Sequence, residues 1–261
     1  MPTLDNHQSA KFVKLLYVGS SGTGKTGSLV SLVKAGYKLR IIDLDNGLDA
    51  LVNFCKMECP ANLKNVQYET RRDKYKAGAM GPQVLPPAKA LVECAKLLDK
   101  WTDESKPEEW GEDYILVIDS LTNLGKAAFE WAKAQNPTSK EPRQWYKGAQ
   151  DVIDNVIATV TSDIFHANVI VCTHIDFSEN DVGLVKAYAS SIGRALGPKL
   201  PRYFNTMVLA ETIGAGKNVR RVIKTMPTGQ MDLKNPAPMR IEAEYPLGTG
   251  MATIFEKLKN S

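Results

Sequence analysis

The sequence predicts an α/β protein: a mostly parallel central sheet flanked by helices, with an antiparallel β extension towards the C-terminal end. Three observations predict this class. Apolar segments with the length of buried strands alternate with segments of helical periodicity over most of the 261 residues. Several apolar segments end directly in polar residues, as strands do at the ligand-binding edge of a parallel sheet. Two further apolar segments, 205–212 and 218–225, are separated by a short glycine-bearing turn, which is typical of a hairpin.

The first elements follow from these patterns in order. The apolar strand 12–18 enters a glycine-rich loop, and a helix-compatible segment, 27–35, follows. Strand 38–44 ends in Asp-Leu-Asp-Asn-Gly, a sequence that favours a turn. The next helix is expected over 48–59, because Pro60 stops it.

The middle of the chain continues the alternation. Segment 66–70 is a short strand, and 71–87 is basic and then rich in Gly and Pro, which predicts a surface loop. Apolar residues at helical spacing predict a helix over 87–101. The continuous apolar run in 114–120 predicts a buried parallel strand, and helix 121–134 follows it.

The later elements are less regular. Residues 135–147 are polar and contain proline, so we expect a loop there, followed by a long amphipathic helix over 148–166. Segment 168–173 is another buried strand. Residues 175–201 are polar and glycine-bearing without clear periodicity, and 251–259 is expected to form a short closing segment.

The chain is expected to form a single domain, 1–261, with a core over about 10–225 and a C-terminal extension over 226–261. Hydrophobic residues make up 43% of the chain and charged residues 24%, which excludes wholesale disorder. No apolar run has the length of a bilayer span, and no signal-peptide core is found at the N-terminus. We therefore expect a cytoplasmic protein without a membrane partner.

The net charge of +4 is unevenly distributed along the chain. Residues 1–130 carry 17 basic and 17 acidic side chains, whereas 131–261 carry 16 basic and 12 acidic ones. Within the second half, residues 186–224 contain eight basic residues and the single acid Glu211, and this imbalance favours a polyanionic partner. The eight are Lys186, Arg194, Lys199, Arg202, Lys217, Arg220, Arg221 and Lys224.

A Gly-x4-Gly-Lys-Thr motif occupies residues 19–26, between the first strand and the first helix. This is the strand–loop–helix context of a phosphate-binding P-loop. Glycines let backbone N–H groups curl around a triphosphate without side-chain clashes, and the helix start adds its positive end. Lys25 is predicted to reach the β- and γ-phosphates, and the Thr26 hydroxyl to hold Mg²⁺. The predicted nucleotide-binding residues are Gly19, Ser20, Ser21, Gly22, Thr23, Gly24, Lys25, Thr26 and Gly27.

Acidic residues end two of the predicted strands. Asp119 follows four apolar residues, which is the Walker B pattern, and it is predicted to hold Mg²⁺ together with Thr26. The alternative is that Asp119 only caps the next helix. Hydrolysis also needs a carboxylate that positions the attacking water. Because Ser120 occupies the place directly after Asp119, the candidates are Asp43 and Asp45. We favour Asp45, although turn formation explains both residues equally well.

His174 ends the strand that is predicted to lie beside the strand of Asp119. A polar side chain at this position can sense the γ-phosphate and pass its state to the following loop. The alternative for an isolated histidine at a strand end is a purely structural role. The predicted catalytic set is therefore Lys25, Asp45, Asp119 and His174.

These motifs together resemble the RecA-type recombinase core over about residues 10–225. The resemblance is closest to the small phage-encoded RecA-like ATPases, AAA-family ATP-binding proteins linked to single-strand annealing and recombination. Asp45 stands where that family has its catalytic Glu, Asp119-Ser120 matches its Walker B ending, and His174 stands where it has a γ-phosphate-sensing Gln. The family's mobile DNA-binding loop corresponds to about 175–189.

The resemblance implies an ATPase that uses ATP and Mg²⁺, binds single-stranded DNA and promotes annealing or strand exchange. It also implies a homo-oligomer, either a ring or a filament, in the cytoplasm of the host cell if the gene belongs to a phage. A single-strand-binding protein is a further partner that the resemblance suggests for this chain. A basic residue near 217–224 is expected to act on the ATP of a neighbouring subunit.

The DNA face is expected to combine basic residues, which contact phosphates, with aromatic residues, which stack on bases. The candidates lie in 135–147 and 175–189; for the aromatic pair in the first segment, packing at a helix start is the alternative. They are Lys140, Arg143, Trp145, Tyr146, Lys147, Lys186 and Tyr188. Two other functions stay open: a nucleotide-gated DNA-binding scaffold with negligible hydrolysis, and a P-loop phosphotransferase that acts on a small molecule.

Overall fold

A computed structural model describes residues 11–78, 81–139, 141–179 and 183–259. Its strands are β1 (Lys14–Gly19), β2 (Lys38–Asp43), β3 (Val66–Thr70), β4 (Tyr75–Lys76), β5 (Gln83–Val84), β6 (Gly111–Asp119), β7 (Ala167–Thr173), β8 (Ile175–Glu179), β9 (Val185–Ala189), β10 (Thr206–Ile213), β11 (Arg220–Lys224) and β12 (Glu244–Pro246). Its α-helices are α1 (Lys25–Ser28), α2 (Val30–Lys34), α3 (Asp49–Glu58), α4 (Ala90–Asp99), α5 (Leu121–Gln135), α6 (Pro142–Thr161), α7 (Gly193–Leu196) and α8 (Leu247–Lys259).

Eight strands form the central sheet in the order β12-β11-β10-β1-β7-β6-β2-β3. The five pairs from β10 to β3 are parallel, and the pairs β10–β11 and β11–β12 are antiparallel. The predicted fold class, a mostly parallel sheet with an antiparallel extension, is therefore confirmed. The register places Asp43 opposite Asp119, and Val18 opposite Thr173, so the polar strand ends meet at one edge.

Helices cover both faces of the sheet, because successive residues of a buried strand point to opposite sides. Leu16 and Val18 of β1 belong to the core that includes residues of α4, α5 and α6. Leu15 and Tyr17 belong to the other core, with residues of α2, α3 and α8. The strands are apolar on both faces for this reason, which is why they appear in the sequence as uninterrupted runs.

Two segments differ from the predictions in ways that affect the site. The helix expected at 148 begins at Pro142, since proline is well suited to the first helical turn, where no backbone N–H is needed. The segment 175–189, expected as a loop, contains the antiparallel pair β8–β9. Most residues of β8 are exposed, so the apolar alternation that marks a strand is weak in the sequence.

The last helix, α8, is more extensive than the short closing segment that was expected. Its buried residues Met251, Ile254, Phe255 and Leu258 follow helical spacing and pack into the same core as residues of α2. The C-terminal extension is therefore part of the hydrophobic core. In the part of the chain that the structure describes, no helix combines the length and apolarity needed to cross a membrane.

Candidate nucleotide-binding site

The glycine-rich loop connects β1 to α1 in the geometry that the motif predicts. Gly22 and Gly24 have φ angles of 78° and 93°, the left-handed region that glycine adopts at no steric cost. A Cβ on Gly19 would lie 2.8 Å from the carbonyl oxygen of Ala210, so β1 and β10 approach too closely there for a side chain. The loop glycines are thus required by the backbone of the site.

Lys25 lies over this loop. Its Nζ donates to the carbonyl oxygens of Gly19 (2.7 Å) and Ser20 (3.2 Å), and the residue is only 7% exposed. Burial lowers the pKa of Lys25, against the opposing effects of Cys172 and of nearby carboxylates. The backbone carbonyl groups therefore hold the ammonium group at the mouth of the loop. The loop contains no acidic side chain, so none competes with the phosphates of a nucleotide for this ammonium group.

Thr26 and Asp119 meet directly. The Thr26 hydroxyl donates to Oδ2 of Asp119 at 2.6 Å, and Asp119 is 3% exposed at the end of β6. Burial raises the pKa of Asp119 to about 6, although the hydrogen bond from Thr26 opposes this rise. A hydroxyl and a carboxylate oxygen side by side form the oxygen-only donor set that Mg²⁺ prefers, so these two residues fit a magnesium ion.

Asp45 is held by residues from the neighbouring strand end. Its Oδ1 accepts hydrogen bonds from Oγ of Ser120 (2.7 Å) and Nδ2 of Asn123 (2.6 Å), and its Oδ2 lies 3.7 Å from Nε2 of His174. Burial alone would raise the pKa of Asp45, but the nearby His174 imidazole and the hydrogen bonds from Ser120 and Asn123 lower it to about 2. The carboxylate is therefore fixed and permanently ionised at neutral pH.

Asp43 has a different environment. Its Oδ1 accepts from the backbone N–H groups of Asp45 (3.2 Å) and Asn46 (2.7 Å), and its Oδ2 accepts from the Thr70 hydroxyl (3.0 Å). One oxygen thus stabilises the turn after β2, and the other connects this strand end to β3. Of the two candidates left by the sequence, Asp45 alone retains a carboxylate oxygen without a side-chain or backbone hydrogen bond shorter than 3.5 Å among the described residues.

His174 connects this site to the β8–β9 hairpin. Its backbone N–H donates to the Thr122 hydroxyl (3.1 Å), and its carbonyl oxygen accepts from the N–H of Ser190 (2.8 Å). The next residue, Ile175, pairs with Ala189 at the base of the hairpin. The residue that approaches Asp45 is therefore also the residue from which the hairpin extends.

Several residues of the site were not identified from the sequence. Asn123 and Thr122 lie in the first turn of α5, after Ser120 caps it, and a single turn brings their side chains to Asp45 and His174. Their only sequence signal is a polar first turn directly after the Walker B strand. Leu247 was also missed: its Cδ2 would lie 2.6 Å from a Cβ on Gly24.

The predicted DNA-binding residues occupy two neighbouring segments. Gln150 of α6 donates to the carbonyl oxygen of Ile192 (3.0 Å), so the first half of α6 lies close to the chain that follows the hairpin. Arg143 and Lys147 are exposed on this helix, and Lys140 lies outside the described residues.

The aromatic candidates of the first segment, Trp145 and Tyr146, have partners within the protein. The ring of Trp145 packs edge-on against Phe129, and its Nε1 donates to the carbonyl oxygen of Asn136 (3.1 Å); this is the helix-start packing given above as the alternative. Tyr146 also contacts Phe129 but is 42% exposed.

Other basic residues of the second half are also paired. Lys186 pairs with Asp232 (3.3 Å), and Tyr188 lies opposite Asp176 in the hairpin. Arg202, Arg220 and Lys224 likewise have carboxylate partners. Four of the eight basic residues in 186–224 thus have a carboxylate partner within the protein. The DNA contacts stay a prediction.

The phosphate-binding loop, the Thr26–Asp119 pair and the Asp45 carboxylate at the neighbouring strand end are typical of a P-loop ATPase. A comparison with protein-family models matches residues 11–237 to the AAA domain family AAA_24. The match spans more than half of the chain, which therefore belongs to this family of AAA-type P-loop ATPases.

A search of curated proteins gave no match. Among solved structures, the chain is similar to a KaiC-like protein from the hyperthermophilic archaeon Pyrococcus horikoshii OT3, with 13% sequence identity and a TM-score of 0.46 over 90% of this chain and 85% of that chain.

Proposed function

We propose that this AAA-type ATPase is a recombination protein of the phage-encoded, RecA-like kind. It binds single-stranded DNA and promotes annealing or strand exchange as a homo-oligomer, with ATP hydrolysis dependent on Mg²⁺ and stimulated by DNA. The observation that carries the proposal is the connection from Asp45 through His174 to the β8–β9 hairpin. Such a connection makes the state of the nucleotide available to a surface element outside the nucleotide site.

The residues of the chain have separable roles in this reaction. Lys25 and the backbone N–H groups of the loop bind the phosphates, and Asp45 orients the attacking water. With a pKa of about 2, Asp45 accepts a hydrogen bond from the water without being protonated in the resting enzyme. Thr26 and Asp119 would hold Mg²⁺, which neutralises charge that develops on the phosphates.

The second candidate is a nucleotide-gated DNA-binding scaffold with negligible hydrolysis. The observation that favours it is that Oδ1 of Asp45 already accepts two hydrogen bonds shorter than 2.8 Å. A carboxylate restrained in this way has one oxygen left for a water molecule. Turnover is what separates the two candidates, because both of them bind nucleotide and DNA.

The experiment is ATP hydrolysis with Mg²⁺, with and without an oligodeoxythymidylate, at increasing protein concentrations. The proposed function predicts a rate that rises with DNA and rises more steeply than linearly with protein, as expected when subunits must assemble. A slow rate that ignores DNA, together with tight nucleotide binding, supports the scaffold. Activity on a small phosphate acceptor without any effect of DNA refutes both and supports a phosphotransferase.

The DNA face is tested by replacing Arg143 and Lys147 with Ala. We expect weaker DNA binding and a shallower dependence of log K on log salt, by about 1 to 2 units of slope, because two phosphate contacts are lost. The matched control replaces Lys56 and Lys64, two exposed lysines of the α3 region, with Ala. An unchanged salt slope in the Arg143 and Lys147 variant excludes this part of α6 from the DNA face.

A further inference from the structure

A second polar cavity opens beside Asp45, outside the phosphate-binding loop. It has a volume of about 180 Å³, and its lining includes Leu44, Arg71, Arg72, Asn123 and Lys126. The cavity lies between the chain that follows β3 and the first two turns of α5. The mechanism of hydrolysis described above uses none of its three basic side chains.

The charges that remain available in this cavity are positive. Arg71 is compensated by Glu69 (2.7 Å) and Glu93 (3.7 Å). In contrast, neither Arg72 nor Lys126 has an ion-pair partner among the described residues. Two cations that line one cavity without an ion-pair partner are a common protein arrangement for an anionic ligand.

The lining contains one carboxylate, Asp73, against the three cations Arg71, Arg72 and Lys126. Oδ1 of Asp73 accepts from the backbone N–H groups of Lys89 (2.7 Å) and Ala90 (3.0 Å) at the start of α4. Its Oδ2 is buried, so it presents no surface to a ligand. The groups that a ligand meets are therefore the guanidinium of Arg72 and the ammonium of Lys126.

Asn123 joins this cavity to the hydrolytic site. It lines the cavity, and its Nδ2 donates to Oδ1 of Asp45 at 2.6 Å. A ligand in the cavity would therefore be one side chain away from the carboxylate that orients the attacking water.

We propose that the cavity lined by Arg72, Lys126 and Asn123 is a second phosphate-binding site, distinct from the site of the ATP phosphates. Its volume accommodates one or two phosphate groups but not a whole nucleotide. The phosphate belongs either to the backbone of a nucleic acid or to a small phosphorylated molecule. The inference does not depend on the recombination function, because it requires only an anion of this class.

The test fills the nucleotide site first. The full-length protein is saturated with ADP and Mg²⁺ and then titrated with inorganic pyrophosphate in a calorimeter. We expect one further binding event, which the double variant Arg72→Gln, Lys126→Gln weakens at least about tenfold, because each lost contact is a charge-assisted hydrogen bond. The control variant, Lys56→Gln with Lys64→Gln, has the same change in net charge and should bind pyrophosphate like the natural protein.

The outcomes are distinct. If no event follows ADP saturation, or if the two double variants bind pyrophosphate equally, the proposal is wrong. If the event occurs and an oligodeoxythymidylate competes with pyrophosphate in the natural protein, the site takes a nucleic-acid phosphate. If the event occurs without such competition, the site takes a small phosphorylated ligand. Pyrophosphate binding without any stimulation of ATP hydrolysis by DNA supports this site and refutes the recombination function separately.

Discussion

Replacing Asp45 with Asn removes a negative charge from the hydrolytic site while leaving the shape of the side chain almost unchanged. The hydrogen bonds that Ser120 and Asn123 donate to Oδ1 (2.7 and 2.6 Å) can still form, because the amide retains an oxygen at that position. The Oδ2 position, 3.7 Å from Nε2 of His174, becomes an NH₂ group that can only donate. The substitution thus removes the acceptor for the attacking water and little else.

The expected effect is on turnover. Positioning of a reacting group by a carboxylate typically contributes about 10²- to 10⁴-fold, so kcat should fall by this factor, which corresponds to about 3 to 5.5 kcal/mol. The affinity for ATP should change by less than about threefold, because Asp45 does not contact the loop that binds the phosphates. Single-turnover hydrolysis gives the first quantity, and titration with a fluorescent ATP analogue gives the second.

Asp43→Asn is the matched control, two residues earlier on the same strand end. One oxygen of Asp43 accepts from the turn after β2 and the other from Thr70 of β3, so this variant should keep kcat within about fivefold, even though it loses some stability. If Asp45→Asn hydrolyses ATP within tenfold of the natural rate, or if the two variants lose turnover equally, Asp45 does not orient the water. Because its pKa is about 2, Asp45 should also cause no loss of kcat between about pH 5 and 9.

Three further predictions concern the loop and the core. Lys25→Ala should abolish ATP binding in the same titration, and retained binding contradicts the assignment of the loop. Gly24→Ala should lower the free energy of unfolding, measured in urea, by about 2 to 4 kcal/mol, because φ of residue 24 is 93° and the new Cβ would lie 2.6 Å from Leu247. Adding Leu247→Ala should recover the part of this loss that is due to the clash. If nothing is recovered, the whole loss comes from the backbone conformation. Burial lowers the pKa of Lys14 from 10.5 to about 7, so unfolding takes up a proton between pH 7 and pH 10.5. The stability of the natural protein relative to Lys14→Met should therefore rise with pH over this interval. A difference in urea midpoint that stays constant with pH would mean that the three carbonyl partners of Lys14 keep its ammonium group charged.

The sequence predicted those parts of the site that depend on strand ends. Lys25, Asp45 and Asp119 follow uninterrupted apolar runs, and the carboxyl ends of parallel strands must meet at one edge, so their convergence required no knowledge of side-chain packing. The central sheet and its antiparallel extension were predictable for the same reason.

Residues whose position depends on helix orientation or on loop packing were not predictable. Asn123 reaches Asp45 only because the first turn of α5 points back towards β2, and nothing in a polar helix start specifies that direction. The β8–β9 hairpin is mostly exposed, so it lacks the apolar alternation that marks a half-buried strand. The presence of Arg72 and Lys126 in one cavity likewise depends on how an irregular segment packs beside α5.

The packing of α8 against the first helices has a consequence for synthesis of the protein. The N–H of Ala252 donates to the hydroxyl of Ser31, a contact between residues 221 positions apart, and Leu247 lies against Gly24 of the phosphate-binding loop. At about 5 to 20 residues per second, a ribosome needs roughly 10 to 45 s to translate that interval. During this time the nascent chain carries a complete nucleotide motif, but the apolar residues of α2 lack the contacts that α8 provides in the folded protein. We therefore expect chaperone dependence in chains truncated before residue 247, although every residue of the motif is present in them.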